Sequence, residues 1–375
     1  MIRMFARTLL LASLGVSVLL VMNHYGLFAF ASVARAFHTG WPWILAVIGT
    51  QVALAFLLMF RYGVFVGLVG VRVDFPHLAS ANFVSNAVGQ WAPGALAVTE
   101  VLRMSLMLGA ERAQGRALEQ NGSRLALASL FDRLNGFFTM LVLGGVSTLL
   151  VVSRLVGEGR PWTDARVTGL VALAVFSLSG AFAIIMLPFV ARSAVVHAAL
   201  DTLQVRFKGA ATGAATGADG TATGPASRAA RIVGRAQSLL RMLGDGVALL
   251  PQFLWPLTLS AICMALSCMG LYFAAFATGG ELPLFAVVST FSIIAISTLF
   301  PLGFGGLGGY QLVAVGVFGL FGVAPAVVSS ASVLQSALML TVNTLLGALY
   351  AHHSGAHVGA ILRGAARSRQ SKTRP

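Results

Sequence analysis

The chain has 375 residues, 57% of them hydrophobic and only 10% charged, with a mean hydropathy of +0.87. A soluble domain of that length cannot hide so much apolar surface, so composition excludes a water-soluble enzyme and indicates an integral membrane protein. The net charge of +14 does not point to nucleic acid, because no basic face is interleaved with aromatics; Lys and Arg instead flank apolar runs, where they report orientation.

The first apolar run, Thr8–Met22, follows Arg3 and Arg7 and predicts span one over about Phe5–Asn23. Ala34-Arg35-Ala36 has the small-x-small form of a cleavage site but lies beyond that run with Arg35 inside it, so span one is expected to be retained. Span two is predicted over Trp41–Phe60, with Trp41 and Trp43 as interfacial aromatics. The apolar stretch Leu78–Leu108 is interrupted by Asn82, Asn86, Gln90, Pro93, Gly94 and Glu100, and reads as a first re-entrant hairpin. A polar helix over Glu111–Arg124, span three over Leu134–Val152 and span four over Val167–Ala191 follow.

Between Arg192 and Gly246 the hydrophobic signal is lost. The Gly/Ala/Thr-rich middle, Gly209–Gly220, predicts a flexible linker between two amphipathic helices, Val195–Phe207 and Arg228–Leu243. Span five is expected over Phe253–Thr278, a second hairpin over Leu284–Val323 and span six over Ala326–Ala351. With the N-terminus in the cytoplasm and neither hairpin crossing, 21 of the 25 Lys and Arg fall on the cytoplasmic side.

Each half then reads span, span, hairpin, span, with opposite starting sides, which is an inverted-topology repeat. The expected breaks are Pro93-Gly94 and the run Pro301, Gly303, Gly305, Gly306 and Gly308. Gly costs about 1 kcal/mol and Pro about 3 kcal/mol relative to Ala inside a helix, so neither stretch favours an unbroken span.

Ionisable groups inside membrane segments are candidates for function because inserting them is costly. Glu100 and Arg103 share a helix face at the end of the first hairpin, and Asp132 and Arg133 open span three. They are expected either to bind a head group or coupling ion, or to pair at the cytoplasmic interface. Asn82, Asn86 and Gln90 recur every four residues and line one stripe with amides, suited to a sugar or phosphate path and equally to helix–helix bonding. Gln311, Gln335 and Asn343 are second-half counterparts. Cys263 and Cys268 sit about 140° apart around a helix, which favours neither a disulfide nor a metal pair. The seven histidines fall at span ends or in loops, and no nucleotide, metal or hydrolase motif is present.

The string Pro301–Gln311 resembles the P-x-S-P-G-G-L-G-x-R-E signature of the flippase-like membrane domain of bacterial lysylphosphatidylglycerol synthases and their stand-alone relatives. Pro301, Gly305, Gly306, Leu307 and Gly308 match it. Pro93-Gly94 with Glu100-Val101-Leu102-Arg103 resembles that family's P-x-G…E-x-x-R segment, and Asp132-Arg133-Leu134 its acidic-Arg-Leu motif. Gly303-Phe304 stands where the family has Ser-Pro, and Tyr310-Gln311 replaces Arg-Glu, so the second hairpin lacks two charges. The aminoacyl-transferase domain of the full-length synthases is expected to be absent, so the resemblance is not expected to bring its activity.

The expectation is an all-α polytopic membrane protein of six transmembrane helices and two re-entrant hairpins in an inverted repeat. Residues 1–153 form the first repeat, 154–353 the second with a flexible cytoplasmic loop at 192–246, and 354–375 a basic cytoplasmic tail. The expected function is a non-enzymatic inner-membrane flippase or exporter of a polar-headed lipid or lipid-linked glycan, without cofactor or metal. Alternatives are a secondary transporter of a soluble solute, or a scaffold for a lipid-modifying or glycosyl-transferring enzyme. Glu100, Arg103, Asn82, Asn86, Gln90, Asp132, Arg133 and Gln311 are the expected substrate-binding residues.

Overall fold

The computed structural model describes residues 13–353 except 14–15, 18, 92–94, 114–117, 195, 197, 199–200, 203–204, 206–243, 245–251, 298–302 and 305–306. Span one lies largely outside the described residues, as do the linker, most of the amphipathic segments beside it, the tail, and Pro93, Gly94, Pro301, Gly305 and Gly306.

A short helix, α1 (Phe30–His38), leads into α2 (Trp41–Leu68). Pro42 opens α2 in the first turn, where its missing N–H costs nothing. The 28 residues of α2 extend past the predicted end at Phe60. The helix stops where Gly70 takes φ 76° and the Val71 N–H reaches back to Val66 O at 3.1 Å. Next come α3 (Phe75–Gln90) and α4 (Ala95–Ala113), packed against each other.

The predicted polar helix Glu111–Arg124 is not one element: Glu111–Ala113 end α4, while from Leu118 it is continuous with span three in α5 (Leu118–Gly157), 40 residues long. The change of polarity within α5 does not coincide with a helix end. A turn capped by Gly159 leads to α6 (Ala165–Ala191), then α7 (Leu254–Ala277), which ends as α2 does, with Gly279 at φ 78° and Gly280 N–H on Ala275 O. The second interrupted stretch gives α8 (Leu284–Ser297), a two-residue antiparallel ladder of β1 (Gly303–Phe304) with β2 (Leu307–Gly308), and α9 (Gly309–Leu320). Gly303 opposes Gly308 and Phe304 opposes Leu307. Finally α10 runs Pro325–His353.

Among the described residues the fold is thus helical apart from that ladder. Five helices are long and apolar enough to cross a membrane: α2, α5 from Gly122, α6, α7 and α10. The chain is a multi-pass membrane protein. By contrast α3, α8 and α9, at about 24, 21 and 18 Å, fall short of a hydrocarbon core of about 30 Å.

Cα packing divides the chain into two compact units, residues 1–179 with 256–375, and residues 180–255. In the smaller unit Arg192 Nε donates to Gly244 O at 2.6 Å. In the larger, the core is built from α2, α7, α8, α9 and α10, with Leu271, Ala274, Val287, Phe318, Val328 and Ala331 fully buried.

Two packings in the larger unit mirror each other: α3 lies along α10, and α8 lies along α5. The α3–α10 contact is antiparallel. Phe83 meets the Tyr350 ring at 4.8 Å, Ala87 abuts Gly347, and Trp91 Nε1 donates to Thr344 Oγ1 at 3.1 Å. The α8–α5 contact is fastened by Ser289 Oγ donating to Ser147 Oγ at 2.9 Å and Ser147 Oγ to Phe285 O at 3.3 Å.

Candidate functional site, a buried charged cluster

The helical offsets bring the four charged residues singled out in the sequence to one place. Glu100 and Arg103 occupy one face of α4, and neighbouring Asp132 and Arg133 on α5 meet them. Arg133 Nε donates to Glu100 Oε1 at 2.7 Å, and a second nitrogen of Arg133 shares that oxygen. Arg103 Nη1 lies 3.4 Å from Glu100 Oε1 and 3.8 Å from Asp132 Oδ2. The latter distance is an ion-pair contact beyond hydrogen-bond reach.

Two further helices complete the cluster with residues the sequence reading did not select. Arg61 of α2 donates through Nε to Asp132 Oδ1 at 2.7 Å and through Nη1 to Ser260 Oγ of α7 at 3.0 Å. Asn135 Nδ2 donates to the same Ser260 Oγ at 2.7 Å and to Pro256 O at 3.0 Å. Gly136, one turn beyond Asp132, leaves room for the guanidinium: a Cβ there would stand 3.3 Å from Arg61 Nη1. The adjacent Tyr62 turns to the other side of Asp132. The Arg103 guanidinium lies over its ring at 4.6 Å, and Ser129 Oγ donates to its hydroxyl at 3.3 Å.

Burial decides how these charges act. Arg61, Arg103 and Asp132 are 4%, 4% and 3% exposed, whereas Glu100 and Arg133 are part-buried. Arg61 precedes the end of α2 by seven residues and Ser260 follows the start of α7 by six. At 1.5 Å per residue both lie about 10 Å inside their helix ends. Glu100, Arg103, Asp132 and Arg133 thus lie together, with Arg103 and Asp132 buried within the protein. Arg61, counted as a loop charge in the orientation tally, lies inside α2. Setting aside Arg61, Arg103 and Arg133, the bias persists at 18 of the remaining 22.

The remaining candidates lie elsewhere in the fold. Asn82, Asn86 and Gln90 line one stripe of α3; Asn82 is buried and bonds its own helix at Leu78 O, 3.0 Å away. Gln311 is fully buried on α9, and Gln335 Nε2 of α10 donates to Ser267 O of α7 at 3.0 Å. That pairing favours the helix-bonding role for Gln335. Cys263 and Cys268 are buried free thiols. Among the described residues no group of His, Cys, Asp and Glu could hold a metal ion.

A multi-helix membrane fold with a buried ionic cluster where α4 and α5 meet is thus combined with a glycine-rich break between α8 and α9. The chain belongs to the family of the lysylphosphatidylglycerol synthase TM region, whose description matches residues 6–347. Membership carries a lipid-related function at the membrane. No curated protein matches the chain.

Proposed function

We propose that this protein is a lipid flippase or exporter of the bacterial inner membrane, with no bond-making chemistry of its own. A polar head group crosses between the two hairpins while its tails stay in the bilayer. The observation that carries this reading is the cluster itself. Glu100, Arg103, Asp132 and Arg61 are drawn from three helices into one cluster, and ionisable groups within apolar segments are costly to insert and so mark a pathway by default.

The arrangement proposed is six spans and two re-entrant hairpins, α3–α4 and α8–α9, in an inverted repeat with both termini cytoplasmic. The shortness of α3, α8 and α9 and the mirrored α3–α10 and α8–α5 packings support it. In this arrangement the first hairpin enters from the cytoplasmic side and carries the charges; the second enters from the other side and is uncharged at Tyr310-Gln311. Glu100 and Arg103 bind the head group at the inner side. The ladder between α8 and α9 gives the second hairpin a backbone break about which to move.

The test is lipid translocation by purified protein in liposomes. Glu100→Gln and Arg103→Ala are expected to leave insertion intact and abolish translocation. Unimpaired translocation by the double variant would remove the cluster from the mechanism.

A further inference from the structure

We infer that the cluster takes a single anionic group on Arg103, and that Arg61 is the positioning residue that keeps Arg103 free to receive it. This rests on the site proposed above and deepens it. Three guanidiniums, of Arg61, Arg103 and Arg133, face two carboxylates, of Glu100 and Asp132. Counting only the deeply buried members, two guanidiniums face one carboxylate. The excess is one positive charge either way.

The pairing geometry says which guanidinium carries the excess. Asp132 is committed to Arg61 by a 2.7 Å bond, and Arg61 is itself fixed by Ser260, which Asn135 holds in turn. The Arg61 guanidinium fills the space beside Gly136 of α5, where an added Cβ would stand 3.3 Å from Nη1. Glu100 is committed to Arg133. Arg103 has only the longer contacts of 3.4 and 3.8 Å, and among the described residues its buried Nε and Nη1 meet no hydrogen-bond acceptor. Stacking over Tyr62 covers one face of its guanidinium but uses no donor.

A buried guanidinium with spare donors and a surplus charge is matched by a phosphate or carboxylate oxygen carrying one negative charge. An uncharged sugar would leave the charge uncompensated, and a cation would be repelled. Without Arg61, Asp132 would lose its partner and draw Arg103 into its place. The excess charge and the spare donors would vanish together, although Arg61 never touches the bound group.

The experiment is native mass spectrometry of the full chain in detergent, titrated with dioctanoyl phosphatidylglycerol, with dioctanoylglycerol as its uncharged counterpart and inorganic phosphate as a free anion. Wild type is expected to hold one phosphatidylglycerol per chain in preference to dioctanoylglycerol. Arg103→Gln and Arg61→Gln are each expected to lose at least about tenfold in affinity, the scale of one charge-assisted hydrogen bond. The charge-balanced Arg61→Gln/Asp132→Asn pair, which restores the excess, is expected to regain most of the loss; a merely structural Arg61 would show no such recovery.

Loss in Arg103→Gln with none in Arg61→Gln, or a folded double variant that stays weak, overturns the role of Arg61 while leaving the proposed site standing. Equal binding of the two lipids by wild type, or unchanged binding in Arg103→Gln, overturns the anion seat. Inorganic phosphate binding as tightly as the lipid upholds the seat but counts against a lipid occupant. Should Arg61→Gln fail to fold, the double variant alone decides the question.

Discussion

Asp132 takes the Arg61 guanidinium on one carboxylate oxygen and faces Arg103 with the other. Removing it therefore leaves Arg61 without a counter-charge and Arg103 with Glu100 alone. Breaking a buried pair from one side costs about 3–5 kcal/mol, since the surviving charge remains desolvated. Asp132→Ala should accordingly lower the thermal midpoint of purified protein well below that of Arg61→Gln/Asp132→Asn, which removes both ends together. Equal midpoints would mean that water reaches the pair. At this scale Glu100, Arg103, Asp132 and Arg133 were legible in the sequence because each interrupts or borders an apolar run. Arg61 was not. It follows Phe60 at the edge of the strongest apolar window, where an arginine looks the same as an orientation signal, and only the continuation of α2 to Leu68 shows it to be interior. Tyr62, Asn135, Gly136 and Ser260 carry no charge and become recognisable only once Arg61 is placed against α5 and α7.

The helices owe their limits to local devices that sequence displays unevenly. Asp164, just before α6, receives the Arg166 N–H on Oδ1 at 2.8 Å, an N-cap at the exposed turn between α5 and α6. That backbone bond, aided by the Arg160 guanidinium 3.2 Å from Oδ2, holds the Asp164 carboxyl below the usual aspartate range. A folded-state pKa below the unfolded one, roughly 3.9, contributes stability above that value and loses it as pH falls through the depressed one. The difference in thermal midpoint between wild type and Asp164→Ala should thus be constant from neutral pH down to the ordinary carboxylate range and close below it. A difference that persists unchanged in strong acid would show that the cap does not depend on ionisation. The interruption at Gly303 and Gly308 was legible from glycine content, whereas the break expected at Pro93-Gly94 lies outside the described residues; the reading also ended its polar helix and began span three within α5. Polarity changes along α5 at about Arg124 while the backbone does not, since helical hydrogen bonding is indifferent to which residues face lipid.

Taken as a whole, the molecule places its interrupted segments in reciprocal positions, α3 along α10 and α8 along α5. The succession of long apolar helices was readable from hydropathy. The reciprocity was not, because long-range partners such as Trp91 and Thr344 leave no periodic trace in the chain. The proposed topology makes a direct expectation for single cysteines introduced at Asp74 and Ala113, which flank the first hairpin, and at Glu281 and Val323, which flank the second. The first two should react with an impermeant maleimide only from the cytoplasmic side, and the last two only from the opposite side. Labelling of Asp74→Cys and Ala113→Cys from different sides would mean that α3 and α4 together cross the membrane, and the inverted repeat would fail.

The bond from Trp91 to Thr344 spans 253 positions of the chain. At synthesis rates of about 5–20 residues per second, α3 emerges roughly 10–50 s before the helix it will lie against exists. Throughout that interval the face of α3 that meets α10 has no partner to cover it. The α3–α10 contact therefore closes only after α10 has been made, and the order of synthesis sets the order in which these two helices can pack.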